Sequence, residues 1–189
     1  PSTTQAGWQI VGTSLGTFAY KVNNDAVTEL NLLGNFGNAS VRRAGDLYGV
    51  MLLPESASSA DIESAKRLLI DRGAAESATA SNYYASWYGR VDIVEFGQSD
   101  TSNITAIGYA WFGCNNMTKF PPLDLSSCVD FDSAWRFAGS LSSFPAGAKL
   151  GTAASNVNFT RAFQSSGLTS FPALDLSTGT TFANSFTSS

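Results

Sequence analysis

The sequence predicts an α+β fold, in which a small β-rich N-terminal region with one helix is followed by a solenoid of repeats. Three observations lead to this prediction. Short apolar segments alternate with turn residues up to about residue 55, an amphipathic helical segment covers 59–73, and a cassette of about 24 residues then recurs. The predicted units are an N-terminal domain over 1–75, a junction or cap over 76–90, and the solenoid over 91–189.

The N-terminal segments are bounded by residues that favour turns. They are Trp8–Val11, Phe18–Val22, Glu29–Leu32, Ser40–Arg43 and Tyr48–Leu53. Gly45 lies between the last two, as in a hairpin with glycine in its turn. Short strands at this spacing predict a small antiparallel sheet or sandwich.

The helix has a start signal and a stop signal. Ser58 or Ser59 can cap it, and Asp61 follows Ser58 by three residues, which is the register of a capping box. Gly73 ends it. Three apolar residues form a stripe at helical spacing: Ile62, Ala65 and Leu69.

Four phenylalanines mark the repeat, at spacings of 24, 24 and 27 residues: Phe96, Phe120, Phe144 and Phe171. Each follows an apolar residue by three positions, and these are Ile93, Met117, Leu141 and Leu168. The Leu-x-x-Phe segment predicts a short strand with both apolar side chains inward. Proline follows the last three phenylalanines and lacks an N–H, so it should end the hydrogen bonding between strands there. Since one repeat cannot bury its apolar side alone, this periodicity indicates a solenoid.

The second part of the cassette combines a turn with an aromatic residue. Aspartates recur in phase at Asp100, Asp124 and Asp175, where a carboxylate can accept hydrogen bonds from N–H groups just downstream. A small residue followed by an aromatic recurs at Ala110-Trp111, Ala134-Trp135, Ala162-Phe163 and Ser185-Phe186. We expect a helical turn here, with each aromatic stacked on the next repeat. Trp111 and Trp135 are thus interpreted as core residues, and the alternative is a sugar-stacking platform.

The two cysteines are Cys114 and Cys128. Their spacing matches no zinc motif, and a metal site would need more ligands. We interpret them as buried free thiols that fill space in the core, with a disulfide as the alternative.

The segment Ala110–Met117 has the pattern Ala-aromatic-x-x-Cys-x-x-apolar. It resembles the cassette of the BspA-type leucine-rich repeats found in surface proteins and phage virion proteins. Later cassettes depart from this pattern, since Ala138 replaces the cysteine and the 163–168 segment is one residue short. The Phe-Pro-x-Leu-Asp-Leu-Ser variant is most similar to cassettes of phage tail or virion surface proteins. The resemblance covers about 91–189 and implies a leucine-rich-repeat solenoid.

The composition argues against most enzyme classes. Histidine is absent, which removes histidine-based triads and the commonest general base. No phosphate-binding or dinucleotide motif occurs, so we expect no cofactor, no metal site and no catalytic residues. A glycosidase needs only two acids, and the candidate pairs are Asp130 with Asp132 and Asp92 with Glu95. The aspartate column could also bind calcium, but a turn-capping role is favoured.

The charge pattern limits the partners. The net charge is −4 and no basic stripe is present, so we expect no nucleic-acid partner. No apolar run approaches the ~20 residues of a membrane span, so no membrane insertion is expected. The repeat half is rich in serine and threonine and poor in charge, which suits contact with a protein or a glycan without electrostatic steering.

These features and the resemblance together predict a non-enzymatic structural or adhesive surface protein. The resemblance implies a phage virion component, a tail fibre or a capsid decoration, at the virion surface. Its expected partners are other virion or surface proteins in a homo- or hetero-oligomer, and a host-surface glycan or protein. Two alternatives remain: an extracellular bacterial cell-surface adhesin subunit, and a glycan-degrading tailspike that uses a carboxylate pair.

Two groups of residues are candidate contact sites. An aromatic cluster precedes the first predicted repeat and should either cap the solenoid or form an exposed ligand platform: Tyr83, Tyr84, Trp87 and Tyr88. Phe182 and Phe186 occupy positions that are interior in the earlier repeats. We expect them to leave an apolar face open, which packs against another chain or against further repeats.

Overall fold

The computed structural model describes residues 8–13, 16–22, 47–54, 56–71 and 82–189. These residues form one helix and eight strands: β1 (Trp8–Thr13), β2 (Gly16–Val22), β3 (Leu47–Leu52), α1 (Ser59–Asp71), β4 (Ile93–Phe96), β5 (Asp124–Leu125), β6 (Lys149–Leu150), β7 (Val157–Asn158) and β8 (Gly179–Thr181). The predicted strands over 29–32 and 40–43, and the predicted turn at Gly45, lie outside the described residues.

The first four strands form one antiparallel sheet in the order β3-β1-β2-β4. β1 and β2 are neighbours along the chain and pair from Trp8 opposite Lys21 to Thr13 opposite Gly16. β4 comes from the first cassette and adds to the edge of β2, with Phe96 opposite Tyr20. The N-terminal segments and the repeat half are therefore joined through this sheet.

The helix begins with a reciprocal cap. The Ser58 N–H donates to Asp61 Oδ2 at 2.8 Å, and the Asp61 N–H donates to Ser58 Oγ at 3.2 Å. Ala65 and Leu69 are buried on the inner face of α1. They form a small core with three partly buried residues: Met51, Leu53 and Ile62. This core holds α1 against the sheet.

The predicted leucine-rich-repeat solenoid is wrong. The described residues form one helix and a few short strands in small sheets, whereas a leucine-rich repeat places a strand in every repeat along one continuous sheet. Among the four Leu-x-x-Phe segments, only Ile93–Phe96 forms a strand, and it pairs antiparallel with β2. The others make isolated bridges, such as Glu95 with Lys119. Proline directly after Phe120, Phe144 and Phe171 explains this, because it cannot donate to a ladder.

The expected helical turn is also absent from the second part of the cassette. In its place each cassette has a seven-residue segment whose last six residues form turns. We call it a turn segment, and the five lie at 83–89, 107–113, 131–137, 159–165 and 182–188. Consecutive turn segments lie parallel, as the bridges of Ala106 to Asn82 and to Asp130 show. Cassette neighbours are therefore in register even though no long strand joins them.

Alternate N–H groups connect each turn segment to the next, and we call this set of bonds the amide ladder. Positions 1, 3, 5 and 7 of a turn segment donate to carbonyls of the following cassette. In the second turn segment the bonds are Ile107 to Asp130 (2.9 Å), Tyr109 to Asp132 (2.8 Å), Trp111 to Ala134 (2.9 Å) and Gly113 to Arg136 (2.8 Å). The same four positions donate at each of the four boundaries between neighbouring turn segments in the described chain.

Left-handed backbone at two fixed positions supports this ladder. Positions 3 and 7 have positive φ in all five turn segments, for example Ser133 (φ 56) and Phe137 (φ 61) in the third. Residues other than glycine rarely adopt this conformation, because the left-handed backbone costs them roughly 1–2 kcal/mol per residue. The hydrogen bonds between neighbouring cassettes hold these residues in place.

Three columns of aromatic rings form the core beneath the ladder. The first contains Trp87, Trp111, Trp135, Phe163 and Phe186, stacked at 5.0–5.6 Å between centroids. The second contains Phe96, Phe120, Phe144 and Phe171, which meet the first column edge-on. The third contains Phe131, Phe159 and Phe182. Trp111 and Trp135 are fully buried, which confirms their interpretation as core residues; Phe96, Phe120 and Phe144 are also buried, and Phe171 is partly buried.

Candidate contact surfaces

The first candidate surface lies at the end of the aromatic columns, and we call it the end face. It consists of the last turn segment, with Phe182 and Phe186 at 42% and 44% exposure. Each ring stacks on the previous cassette, Phe182 on Phe159 at 5.1 Å and Phe186 on Phe163 at 5.2 Å. Phe159 and Phe163 are each 1% exposed. The end face therefore exposes two aromatic rings whose equivalents in the preceding cassette are buried.

Two of the four aromatic side chains in the cluster over 83–88 are buried, and the other two reach the surface. Tyr83 and Trp87 are buried, and their rings meet edge-on at 5.5 Å. Tyr84 is exposed and Tyr88 is half-buried. This cluster is the first turn segment, since the N–H groups of Tyr83 and Trp87 donate to the next cassette at 2.8 Å. The pair Ser86-Trp87 repeats the small-aromatic pattern of Ala110-Trp111, and this was the signal that could have extended the repeat to residue 83.

Outward-facing rings form a second surface, the outer aromatic strip, of which the sequence reasoning identified only Tyr84 and Tyr88. Its members are Tyr84, Tyr88, Tyr109, Phe112 and Phe137. Tyr88 and Phe112 stack at 4.6 Å with an angle of 6° between their planes. The Arg136 guanidinium lies over the Phe137 ring at 4.6 Å. Tyr84 and Phe137 remain 42% and 38% exposed although each contacts another ring of the strip.

The candidate catalytic carboxylates all have structural partners. Asp130 Oδ1 accepts hydrogen bonds from the Asp132 N–H at 3.0 Å and from Asn158 Nδ2 at 3.2 Å. Asp132 pairs with Arg161 at 3.3 Å. In the other pair, the Asp92 carboxylate binds the Arg90 guanidinium at 2.6 Å and Glu95 binds Lys119 at 3.1 Å. Each of these contacts joins either two residues that are close in the sequence or two neighbouring cassettes.

The recurring aspartates cap turns, as their spacing predicts. Asp100, Asp124 and Asp175 each accept the N–H of the residue two places later, at 3.0–3.1 Å. The Lys149 ammonium, followed by the Ser126 hydroxyl, lowers the pKa of the Asp124 carboxyl. Within the described part of the chain, no group of three or more His, Cys, Asp or Glu side chains could hold a metal ion.

A shallow pocket of about 190 Å³ lies between α1 and the first cassettes. Its lining includes Ile62, Phe96 and Pro121. Beside it, the Lys66 ammonium bonds to Glu63 and to the carbonyl oxygen of Gln98. Lys66 is buried and these contacts attach α1 to the repeat half, so the pocket borders a structural junction.

Both cysteines are free and buried, which confirms the interpretation as free thiols. The Cys114 thiol donates to the Trp87 carbonyl oxygen at 3.2 Å. Desolvation by burial raises the pKa of Cys114 and of Cys128 to about 12. Neither thiol is activated as a nucleophile, because the thiolate is disfavoured.

The buried thiols should make the folded state less stable in alkali. Between the ordinary thiol pKa of 9.0 and the folded value of about 12, the unfolded chain loses its thiol protons while the folded chain keeps them. The free energy of unfolding should therefore fall as pH rises through this window. Urea titrations at several pH values measure it. The double variant Cys114→Ala/Cys128→Ala should show a flatter decline, and an identical slope would contradict the assignment.

Among the described residues, no helix is long and apolar enough to cross a membrane. No protein-family model matches the chain, and neither a curated protein nor a solved structure does.

Proposed function

We propose that this chain is a non-enzymatic structural or adhesive protein that acts by contact with other polypeptides, and that its end face packs against another chain or against further repeats. The observation that carries this proposal is the exposure of Phe182 and Phe186, at positions where the preceding cassette buries its rings. Exposed apolar patches mark interaction sites, and aromatic residues are enriched in protein interfaces.

The charge around the end face supports the same role. Asp175 is the one charged residue that follows Arg161 in the sequence. The last turn segment itself contains alanine, asparagine, serine and threonine beside its two phenylalanines. Depletion of charge around exposed aromatic rings is the composition typical of the centre of a protein interface. Association at this face would bury the rings without desolvating an ion.

The narrower form of the proposal is a phage virion component, a tail fibre or a capsid decoration, at the virion surface. It is supported by the Phe-Pro-x-Leu-Asp-Leu-Ser motif at 120–126 and 171–177, which is similar to motifs of virion proteins. The partners would then be other virion proteins. The low charge of the repeat half fits a contact that forms without electrostatic steering.

Site-specific photocrosslinking tests the contact role. The full chain carries p-benzoylphenylalanine in place of Phe186. It is irradiated within purified virions or within a cell-surface fraction, according to which of the two samples contains the protein by mass spectrometry. A single crosslinked product of defined mass is expected, and the Phe182→Ser substitution should abolish it. The matched control carries the photoprobe in place of Phe137, which is 38% exposed on the outer aromatic strip. No product from position 186, with sedimentation as a 19.9 kDa monomer at every concentration, would overturn the proposal.

A further inference from the structure

One basic residue of the repeat half differs from the others in its charge pairing. Four of the five basic residues over 82–189 form salt bridges at 2.6–3.3 Å: Arg90 with Asp92, Lys119 with Glu95, Lys149 with Asp124 and Arg161 with Asp132. The fifth is Arg136, which pairs with no carboxylate among the described residues. Within this part of the chain, its positive charge is therefore not compensated by an ion pair.

Two rings of the outer aromatic strip hold the Arg136 guanidinium in place. Its central carbon lies 4.6 Å from the centroid of the Phe137 ring and 5.7 Å from that of the Phe112 ring. These two rings meet edge-on at 5.3 Å, and Phe112 in turn stacks on Tyr88. Ring faces orient a guanidinium without occupying its N–H groups. An anion would thus meet a cation that is already positioned, which lowers the entropic cost of binding.

The hydrogen-bond donors of Arg136 define how a ligand can approach. A guanidinium offers donors and no acceptor, and that of Arg136 bonds to no described residue. Its Nε nitrogen is buried without a partner, so this side of the guanidinium is closed to a ligand. The two Nη nitrogens are not enclosed in this way. They leave one open edge, whose two donors match the two oxygens of a carboxylate.

The surroundings of Arg136 favour a ligand with a single negative charge. Asp132 belongs to the same turn segment, and the net charge of the chain is −4. A phosphate group, with its larger charge, would be repelled more strongly and would not be neutralised by one arginine. One arginine does neutralise a carboxylate, as in the pair of Arg161 with Asp132.

The rings around Arg136 favour a polypeptide as the source of that carboxylate. Phe112 and Phe137 have no group that could form hydrogen bonds with the hydroxyls of an acidic sugar. Phe137 is 38% exposed, so it offers an apolar contact directly beside the charged one. Arginine and aromatic residues are enriched in protein interfaces, and arginine is frequent among the residues that dominate the binding energy there. An acidic side chain with an apolar neighbour fits both contacts.

We propose that Arg136 binds the carboxylate of an aspartate or glutamate of a partner polypeptide, while Phe137 packs against an apolar residue of the same partner. This inference rests on the proposed contact function and adds a second contact surface to it. The surface belongs to the third turn segment, so it is independent of what the end face contacts. Two parallel hydrogen bonds from the Nη nitrogens would fix the orientation of the carboxylate.

An NMR titration of the full chain with a short peptide tests the charged contact. The probe is a leucine-glutamate-leucine peptide with both ends blocked, so that the glutamate carries its only charge. The signals of the Arg136 side chain and the Phe137 ring should shift and reach saturation. A peptide with glutamine in place of glutamate should bind at least about tenfold more weakly, because the ion pair is lost. Equal affinities, or no shift at the highest soluble peptide concentration, would contradict the proposal.

Other ligand classes are tested with glucuronate and inorganic phosphate as probes. Tighter binding of either than of the glutamate peptide would assign Arg136 to an acidic sugar or to a phosphate group and overturn the proposal.

Substitutions separate a specific contact from a general effect of charge. Arg136→Gln should weaken binding of the glutamate peptide by at least about tenfold. Arg136→Lys keeps the charge but not the planar pair of donors, so its affinity should lie between those of Arg136→Gln and the unchanged chain. The matched control is Lys149→Gln, which makes the same change of charge at an exposed lysine paired with Asp124. It should leave the affinity within about twofold. Equal losses in Arg136→Gln and Lys149→Gln would overturn the proposal.

Photocrosslinking in the same virion or cell-surface sample tests the partner. With the photoprobe in place of Phe137, we expect a product with another polypeptide that has an aspartate or glutamate close to the crosslinked residue. Arg136→Gln should abolish this product, and Phe182→Ser should leave it unchanged. A product from position 186 with none from position 137 would overturn this inference and leave the contact function standing. A product from position 137 that Arg136→Gln does not affect, or a crosslink to a second copy of this chain, would overturn the inference as well.

Discussion

Replacing Trp135 with alanine should lower the free energy of unfolding by about 3–5 kcal/mol. The Trp135 side chain is fully buried in the middle of the first ring column. It stacks on Trp111 at 5.6 Å and on Phe163 at 5.0 Å, and the edges of two further rings approach it. Truncation would leave a cavity that these neighbours cannot close, because the amide ladder fixes the spacing of the cassettes. Urea denaturation followed by circular dichroism measures the loss.

The Trp135→Phe variant is the matched control. Phenylalanine already occupies the same column at Phe163. The Trp135 indole N–H donates no hydrogen bond to any described residue, so its removal leaves no acceptor unpaired. We expect a smaller loss than for alanine, because phenylalanine keeps most of the stacked ring and leaves a smaller cavity. A Trp135→Ala variant that lost less than about 1 kcal/mol would contradict the burial of this column.

The second large effect concerns a glycine at a cassette boundary. A Cβ at Gly167 would overlap the carbonyl group of Gly139, with its carbon at 2.8 Å. The Gly167 N–H also donates to the Ala138 carbonyl at 3.1 Å, so the two cassettes cannot separate without loss of this bond. Gly167→Ala should therefore cost about 1–3 kcal/mol through overpacking.

Gly139 offers a control in the facing cassette. A Cβ there would meet no heavy atom within 4 Å. Gly139→Ala should change the free energy of unfolding by no more than about 0.5 kcal/mol in either direction. Thermal unfolding of both variants measures the difference. Equal effects at Gly139 and Gly167 would show that the close approach of these backbones is not retained in solution.

Burial in the repeat half could be predicted from the sequence because it depends on periodicity. Phe96, Phe120 and Phe144 recur in one phase and lie in one buried column. The turn-capping role of Asp124 followed equally from a local pattern of aspartate and serine. One pattern is strictly periodic and the other is local, so both can be recognised in the sequence without knowledge of the backbone path.

The backbone path itself could not be predicted in the same way. A repeat of about 24 residues fixes which side chains align, but it does not distinguish a strand from a run of turns with the same rise between cassettes. The left-handed positions give only a partial sequence signal. Gly89 and Gly113 occupy two of them, but serine, arginine and phenylalanine occupy others at Ser133, Arg161 and Phe137. Hydrogen bonds between cassettes override the local preference of these residues. For this reason the leucine-rich-repeat expectation was wrong although its buried positions were right.

The candidate site shows the same division. Phe182 and Phe186 were identified because their positions are interior in earlier repeats. The stacking of Tyr88 on Phe112 in the outer aromatic strip could not be anticipated, because it depends on the backbone path that brings neighbouring cassettes together.

The amide ladder also determines how the molecule would carry mechanical load. Its bonds join only neighbouring cassettes, with four of them at each boundary. A pulling force applied to Ser189 should therefore open the boundaries one at a time, beginning with the last. The force at which the molecule first yields is then set by the boundary nearest the point of pulling, whatever the number of cassettes. Additional cassettes would extend its reach and increase the work absorbed on stretching, but they would not raise the force at which it yields.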